Sequence, residues 1–555
     1  MGGEESKLKE KKKAETCKVI ASIDFGTRYT GYAFMFRSKA SNVEIYKPQR
    51  TDMKREHTCI MLIKKSTGKF EFVSFGTKAM DKFIEMEKEG NDDFFFFRLF
   101  KTDIMLAKEK EKSLFVKDYQ GREVDAQVVF SYVYGFVQSK TLDFLKKSVK
   151  EGERLQDDDI LWVITIPATW GLMYRDFIRK AAEKSYHNIE IVLEPEAASM
   201  YIRNKPMVCS FNGKKIEPFK NGQCYILVDI GAGTTDICTH KVLPDGNLIE
   251  ICSSSGINEG GEQVNKTFFN ELKTLFTEEV MDKFKHENMR FYKLEKEFED
   301  IKHKFKTDTD NAFVLILDEK LLNIFHETTG RKFEIPSTFS EKLELKNSDH
   351  MHMKPKFMAS LFDHIISTIS SKICEQICET ENAGHTISCI ILSGGLSESD
   401  YVYESISKTL TDSSGVKVPI ILSPNARNAV VEGALQIVLN PKGIAGRCSP
   451  YTYGFYSIIP FEEGNHPKHL KVIRDGKPLC IVVFYKLFEK GDYVKKGDCF
   501  FRKSVTSYKK DKNVTRYMSL WRSLDYRQNT AVWRKSAKKR QKSKNRVLVG
   551  VGQIA

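Results

Sequence analysis

The stretch "YILVDIGAGTTDI", residues 225–237, decides the fold of this 555-residue chain. An apolar run ends in Asp229 and is followed by Gly231, Gly233 and Thr234. A carboxylate at the end of a buried strand is costly unless something pairs with it. Main-chain N–H groups in a glycine-rich turn bind anions, and a nearby carboxylate can hold Mg²⁺, usually through water. The stretch therefore predicts a strand and a turn that bind a phosphate and a metal ion.

The same pattern occurs a second time near the start of the chain. In "VIASIDFGTRYTGY", residues 19–32, an apolar run ends in Asp24 and is followed by Gly26 and Thr27. Asp24 and Asp229 lie 205 residues apart, and each pattern opens a strand-rich half. We therefore predict a duplicated α/β domain whose two lobes enclose a cleft. Each lobe supplies one glycine-rich turn, so that a polyphosphate is bound from both sides.

The remaining patterns divide the chain into segments. Long helices are predicted at 126–148 and at about 355–381, and buried strands at 160–170 and 387–395. The predicted segments are a charged flexible N-terminus (1–17), lobe I (18–222), lobe II (223–440, with a helical subdomain at about 262–306), a partial β region (441–503) and a basic, disordered tail (504–555).

Composition indicates a soluble globular protein. The charged fraction is 29% and the hydrophobic fraction is 41%. No apolar run approaches the ~18 residues that a membrane span needs. The opening "MGGEESKLKEKKK" lacks the apolar core of a signal peptide. The 12 cysteines are scattered without a CxxC pair, which favours reduced thiols and a cytoplasmic location.

The positive charge is concentrated at the C-terminal end. The chain carries a net charge of +14, and residues 501–555 hold 16 Lys+Arg and 2 Asp+Glu, which is also +14. The cluster from Arg534 to Arg546 is therefore a candidate nuclear localisation signal or nucleic-acid patch, with a solvated disordered end as the alternative. The rest of the sequence gives no strong indication of nucleic-acid binding.

The N-terminus matches a short modification pattern. Met1 to Ser6 fits Met-Gly-x-x-x-Ser, which predicts N-myristoylation at Gly2. Acidic residues offset much of the lysine cluster that follows, so membrane attachment would be weak and would require the acyl chain. A plain charged tail is the alternative.

Several motifs stand in an order that resembles a known superfamily. They are IDFGT (23–27), FRLFK (97–101), VITIPA (163–168), LEPEAAS (193–199), VDIGAGTTD (228–236), GG (260–261), LSGG (392–395) and RCSPYTYGF (447–455). Together they resemble the actin/hexokinase/70-kDa heat-shock superfamily, and within it the divergent heat shock 70 kDa protein 12 subfamily. The resemblance spans roughly residues 18–500 and implies a duplicated actin-like ATPase fold with a short, incomplete C-terminal β region.

The resemblance also implies a ligand, ATP or ADP with Mg²⁺, and a set of site residues. Lys101, Glu194 and Asp229 would be catalytic, with Lys101 orienting the attacking water. Asp24, Glu194 and Asp229 would hold Mg²⁺ through water. The nucleotide-binding positions implied are Asp24, Gly26, Thr27, Arg28, Gly231, Gly233, Thr234, Gly260, Gly261, Glu299, Lys302, Gly394 and Gly395.

Some positions depart from the pattern of 70-kDa chaperones. Arg28 stands where a hydroxyl residue is expected, and Ala232 replaces a glycine. Leu396 and Glu398 replace an expected Ser and Arg that help to bind adenine. The last departures are Arg427 in place of Asp and His303 in place of Arg. They predict that nucleotide binding is retained while hydrolysis is slow or vestigial.

Three functions remain open from the sequence. The first is an ATP-binding, chaperone-like protein of the stress response, with slow or vestigial Mg²⁺-dependent ATPase activity and with client proteins as partners. The second is a non-catalytic, nucleotide-sensing scaffold that presents a surface to a signalling partner. The third is a small-molecule kinase of the same superfold, for which no motif supplies a substrate-side base. The roughly 60 β residues before the tail are too few to complete a peptide-binding sandwich.

Overall fold

The computed structural model describes residues 16–39, 43–45, 55–88, 93–106, 114–148, 155–203, 209–211, 214–216, 219–308, 310–413, 415–466, 468–495 and 521–523. The predicted myristoylation pattern at Gly2 and the basic cluster Arg534 to Arg546 lie outside these residues. Both stay predictions.

Lobe I is built on a central sheet whose middle strand, Val19–Phe25, is buried at every position. The strands in this half are β1 (Val19–Phe25), β2 (Tyr29–Phe36), β3 (Glu44–Ile45), β4 (Glu56–His57), β5 (Cys59–Lys64), β6 (Phe70–Phe75), β7 (Phe94–Arg98), β8 (Phe115–Lys117), β9 (Glu123–Asp125), β10 (Ile160–Ile166), β11 (Asn188–Leu193), β12 (Cys209–Phe211) and β13 (Lys214–Ile216). The helices are α1 (Thr77–Lys88), α2 (Lys101–Leu106), α3 (Ala126–Ser148), α4 (Leu172–Ala182) and α5 (Glu194–Arg203).

Lobe II has a fully buried middle strand of its own, Cys224–Ile230. Its strands are β14 (Cys224–Ile230), β15 (Thr235–Val242), β16 (Leu248–Ile257), β17 (Phe313–Ile316), β18 (Leu343–Lys346), β19 (His350–Met353), β20 (Ile387–Ser393) and β21 (Ile420–Leu422). Its helices are α6 (Gly261–Phe276), α7 (Glu278–Lys285), α8 (Asn288–Lys304), α9 (Glu319–Thr329), α10 (Pro355–Asn382), α11 (Asp400–Lys408) and α12 (Ala429–Leu439).

The two central sheets have the same topology. In lobe I the strand order is β11-β10-β1-β2-β3, and in lobe II it includes β21-β20-β14-β15-β16. In each lobe three consecutive strands pair antiparallel, and two later strands add in parallel to the first. Helices connect the parallel strands, as parallel pairing requires. The predicted duplicated actin-like fold is therefore confirmed.

The register of the two hairpins is also repeated. Asp24 is paired with Gly31 across β1 and β2, and Asp229 is paired with Asp236 across β14 and β15. In both hairpins the partner lies seven residues after the aspartate. The duplication thus places Asp24 and Asp229 at equivalent strand ends.

Helices α5 and α12 join the lobes. Their small apolar residues, including Ala197, Ala198 and Ala434, share one buried core with strands of both central sheets. The helices approach so closely at Gly433 that an added Cβ atom would overlap the carbonyl oxygen of Ala197. Close approach of this kind requires glycine.

The chain after lobe II forms further strands, β22 (Ile444–Cys448), β23 (Thr452–Pro460), β24 (Lys471–Arg474), β25 (Lys477–Phe488), β26 (Tyr493–Lys495) and β27 (Trp521–Ser523). Strands β22 and β26 extend the lobe II sheet, because β22 pairs with β16. The others form a four-stranded sheet in the order β24-β25-β23-β27. The predicted partial β region therefore contributes to two sheets, and three residues of the tail pair with β23.

Within the described residues no helix is both long enough and apolar enough to cross a membrane. The cysteines whose side chains are described are free thiols, and most are buried. The prediction of reduced cysteines stays a prediction.

Candidate functional site

A pocket lies between the two lobes, where the carboxyl ends of β1 and β14 face each other. The space that its walls enclose, together with the part open to solvent, is about 880 Å³. The predicted residues that line it are Asp24, Gly26, Thr27, Arg28, Lys101, Glu194, Asp229, Gly231, Gly233, Thr234, Gly261, Glu299, Lys302, Gly394 and Gly395. Gly260 is the one predicted site residue that does not line the pocket.

Gly260 instead supports the second glycine-rich turn from behind. An added Cβ atom at Gly260 would overlap the carbonyl oxygen of Gly231. The next two main-chain N–H groups donate to that turn, from Gly261 to the Gly231 oxygen at 3.1 Å and from Glu262 to the Ala232 oxygen at 2.8 Å. Gly260 is therefore a structural glycine of the loop.

The two glycine-rich turns touch across the cleft. An added Cβ atom at Gly233 would overlap Oγ1 of Thr27, so only glycine fits there. The Gly231 N–H donates to the Thr234 oxygen at 2.9 Å and closes the second turn. Among the described residues, no main-chain acceptor takes the N–H of Ala232 or Gly233. These donors suit a phosphate.

Gly394, which directly follows β20, lines the pocket next to the glycine-rich turns. Its φ of +86° is in the left-handed region that favours glycine. An added Cβ atom would overlap the carbonyl oxygen of Ile230 and would lie 2.5 Å from Oδ1 of Asp229. The backbone after β20 therefore passes directly over the Asp229 carboxylate.

Buried carboxylates gather beneath the turns. Burial raises the pKa of Glu194 to about 8, and the Lys101 ammonium opposes that rise. Burial, with the charges of Asp236 and Asp24, raises the pKa of Asp229 to about 7. Burial also raises the pKa of Asp236 to about 6, although the Ala168 N–H donates to it at 2.9 Å. Burial and the closeness of like charges thus favour the protonated forms of these carboxyl groups.

Lys101 is held rigidly beside this cluster. Its Nζ lies 3.2 Å from Oε1 of Glu194 and 5.2 Å from the ring centroid of Trp170. Its exposed fraction is 4%. A buried ammonium between a carboxylate and an aromatic face is fixed in position, which suits the predicted role of orienting a water or a phosphate oxygen.

Arg55 is a site residue that the sequence did not reveal. It forms an ion pair with Asp24 inside the pocket, and Thr165 also donates to Asp24 at 3.3 Å. The space for its guanidinium comes from Gly31, whose added Cβ atom would lie 2.8 Å from Arg55 Nε. Lobe II has Asp236 at the equivalent hairpin position. In lobe I, Asp24 is therefore paired with Arg55, which reaches it over Gly31. In lobe II, Asp229 faces a second aspartate, Asp236.

The carboxylates fit Mg²⁺ held through water better than direct ligation. Oxygen donors are those that Mg²⁺ prefers, and it usually retains several waters. In the described part of the chain, no group of three or more His, Cys, Asp or Glu is placed to hold a metal ion directly. Because the Asp24 carboxylate is paired with Arg55, the carboxylates that would hold a hydrated ion are those of Glu194 and Asp229.

The other end of the pocket is an ion network across the cleft. Arg28, from lobe I, donates to Glu262 and lies 3.5 Å from Glu299, both on lobe II. Lys302 Nζ lies 2.8 Å from the same Glu299 oxygen. Burial alone would raise the pKa of Glu299, but the charges of Lys302 and Arg28 and the His303 hydrogen bond lower it far below its usual value. Glu262, which directly follows Gly260-Gly261, was missed in the sequence.

Two of the departures from the chaperone pattern form a pair. Arg427 Nη2 lies 2.9 Å from Glu398 Oε2, and the Arg427 N–H donates to Oε1 of the same residue at 3.1 Å. The family pattern predicts the opposite charges at these two positions. The two positions therefore carry opposite charges, as the family pattern predicts, but with the signs exchanged. Arg427, Leu396 and His303 also line the pocket.

No family model matches the chain. The chain is 24% identical to heat shock 70 kDa protein 12A of Mus musculus over 543 residues, which is 87% of this chain and 78% of that protein. It is 24% identical to the 12A protein of Homo sapiens over 86% of this chain and 78% of that protein. It is 25% identical to the human 12B protein over 84% of this chain and 75% of that protein.

A solved structure, MreB 5 of Spiroplasma citri bound to AMPPNP, matches with a TM-score of 0.44 and 14% identity, covering 77% of this chain and 97% of that chain. The predicted resemblance is confirmed: over most of its length this chain is similar to the heat shock 70 kDa proteins 12A and 12B.

Proposed function

We propose that the cleft binds ATP or ADP with Mg²⁺ and that the chain is a chaperone-like nucleotide-binding protein with slow or vestigial ATPase activity. One observation carries this proposal. Equivalent glycine-rich turns from the two duplicated hairpins meet at Thr27 and Gly233, above the carboxylates of Glu194 and Asp229. This arrangement provides anion-binding N–H groups and oxygen donors for a hydrated cation at one place.

A bound Mg²⁺ would supply the charge neutralisation that phosphoryl transfer requires. Glu194 and Asp229 would hold it through water, and Lys101 would position a phosphate oxygen or the attacking water. The resemblance to the 12A and 12B proteins supports a nucleotide as the ligand.

Slow hydrolysis is expected because several positions depart from the family pattern and because one carboxylate of the cleft is already paired. Arg28, Ala232 and Arg427 stand where that pattern expects other residues. Asp24 is paired with Arg55. We expect turnover well below the ~10 s⁻¹ typical of enzymes.

Calorimetric titration with ATP and ADP, with Mg²⁺ and with EDTA, tests the proposal. Asp229→Asn should weaken the Mg²⁺ dependence of binding. Asp308→Asn, at an exposed position, is the matched control. No heat and no thermal shift with millimolar nucleotide would refute nucleotide binding. Single-turnover hydrolysis then measures the rate, and Ala232→Gly should not lower it.

A non-catalytic, nucleotide-sensing scaffold is the second candidate. It is favoured by the ion pairs that join the lobes across the cleft, Arg28 with Glu262 and Arg98 with Glu295. Such pairs hold the lobes in one arrangement, which a bound nucleotide would bias. The scaffold differs from the first candidate in predicting no hydrolysis above background but a nucleotide-dependent change in lobe spacing, measurable by fluorescence energy transfer.

A further inference from the structure

The ion network of Arg28, Glu262, Glu299 and Lys302, at the end of the pocket that the family resemblance assigns to the nucleoside, is held by contacts within the protein. Lys302 has three donors, and they contact Gly261 O at 3.2 Å, Asn265 Oδ1 at 3.0 Å and Glu299 Oε2 at 2.8 Å. All three donors of this ammonium are therefore used within the protein.

Glu299 is also engaged within the protein. Its Oε2 accepts from Lys302 and from the Asn265 amide, both at 2.8 Å, and forms an ion pair with Arg28 at 3.5 Å. Its Oε1 lies 3.1 Å from His303 Nε2. Of the two side chains that the family resemblance assigns to a ribose and base, Lys302 thus has no donor left for a hydroxyl group, and Glu299 Oε2 is occupied by contacts within the protein.

The charges of the network are balanced when Arg28 is included. Arg28 and Lys302 carry two positive charges, and Glu262 and Glu299 carry two negative charges. The side chains are 14% (Arg28), 11% (Glu262) and 10% (Glu299) exposed, so the ions are largely removed from water. A neutral ribose hydroxyl could replace the hydrogen bonds of Arg28 but not its charge. Displacing Arg28 would leave two buried carboxylates against one ammonium, which is strongly unfavourable.

The phosphate end of the pocket is different, because the N–H groups of Ala232 and Gly233 have no main-chain acceptor among the described residues. We propose that Arg28 takes the place of a ribose against Glu262 and Glu299, so that the cleft selects its ligand by the polyphosphate and not by the sugar. The ligand class is then any Mg²⁺-bound polyphosphate, including nucleotides with altered ribose. This inference rests on the proposed nucleotide-binding function.

The test compares three probes in the presence of Mg²⁺: ATP, 2′,3′-dideoxy-ATP and inorganic tripolyphosphate. Each is titrated into the wild type, into Arg28→Thr, which carries the hydroxyl residue that the family pattern expects, and into Arg331→Thr as an exposed control. We expect the wild type and the control to bind ATP and dideoxy-ATP with affinities within about threefold of each other. In Arg28→Thr, ATP should bind at least about tenfold more tightly than dideoxy-ATP, because the freed carboxylates can accept the ribose hydroxyls.

A wild-type preference for ATP over dideoxy-ATP of tenfold or more would overturn the inference, and so would an unchanged ratio in Arg28→Thr. If Arg28→Thr does not fold, Arg28→Thr/Glu262→Gln removes one charge of each sign, keeps the network balanced and is judged by the same ratio. If none of the three probes binds to the wild type or to the variant, nucleotide binding itself is refuted, which is distinct from binding with the wrong selectivity.

Discussion

The buried Asp229 carboxylate should make the ligand-free protein less stable as the pH rises. Its pKa is about 7 in the folded protein against 3.8 for an ordinary aspartate. Burial is the main cause, and the charges of Asp236 and Asp24 add to it, while Arg55 and Lys101 oppose it. Because the folded state binds this proton more tightly, the contribution of Asp229 to the free energy of unfolding falls between pH 4 and pH 7 and then levels off.

Asp229→Asn removes this pH-dependent cost. At ~1.36 kcal/mol per pKa unit, the variant should be more stable than the wild type by about 1.5 kcal/mol at pH 5 and about 4 kcal/mol at pH 8. The same substitution should weaken Mg²⁺-dependent nucleotide binding, so the stabilisation is paired with a loss of function.

Urea unfolding monitored by far-UV circular dichroism, at pH 5, 6, 7 and 8 with EDTA present, measures the difference. Asp308→Asn, which is exposed and does not line the pocket, should show no pH-dependent difference from the wild type. If the transition midpoint of Asp229→Asn follows that of the wild type at all four pH values, the reasoning about burial of this carboxylate is wrong.

Three further outcomes are expected elsewhere in the molecule. Affinity for Mg²⁺-ATP should rise between pH 6 and pH 8.5, because Glu194, with a pKa of about 8, must lose its proton to hold a hydrated cation; calorimetry across this range measures it. Arg447→Met should lower the free energy of unfolding by ~3–5 kcal/mol, because Glu196, whose side chain is 3% exposed, loses its ion-pair partner. In urea unfolding, the double variant Arg447→Met/Glu196→Gln should lose less stability than Arg447→Met alone. Gly433→Ala should cost about 1–3 kcal/mol or more by forcing α5 and α12 apart, whereas Gly135→Ala, in a helix with room for a Cβ atom, should be neutral or stabilising by up to ~1 kcal/mol in the same assay.

The parts of the site that the sequence predicted are those set by local structure. Asp24 and Asp229 each stand at the end of an apolar strand and before a glycine turn, and both patterns lie within a dozen residues. Their positions follow from strand and turn geometry alone. Duplication then predicts that the two turns face each other, because equivalent hairpins occupy equivalent places in the two lobes.

The parts that the sequence did not predict are tertiary partners. Arg55 lies 31 residues from Asp24, in a segment without a strong helix or strand pattern, and nothing local links the two. The signal was indirect: Gly31 stands where lobe II has Asp236, which leaves room for a large side chain. Strand β22 was placed in the predicted β region, and its pairing with β16 depends on a long-range contact that no period-2 pattern encodes.

The departures from the chaperone pattern have a different meaning once their partners are known. Considered one at a time, these departures are positions at which a side chain expected at a nucleotide site is missing. They include Arg28, Glu398 and Arg427. In the folded protein each has an oppositely charged partner: Arg427 pairs with Glu398, and Arg28 pairs with Glu262 and Glu299. A site that had lost its function without compensation would leave buried charges unpaired, at a cost of several kcal/mol each. The observed pairing instead agrees with the proposal of a cleft whose Arg28 end is organised around internal ion pairs, while the glycine turns at its other end offer main-chain donors to an anion.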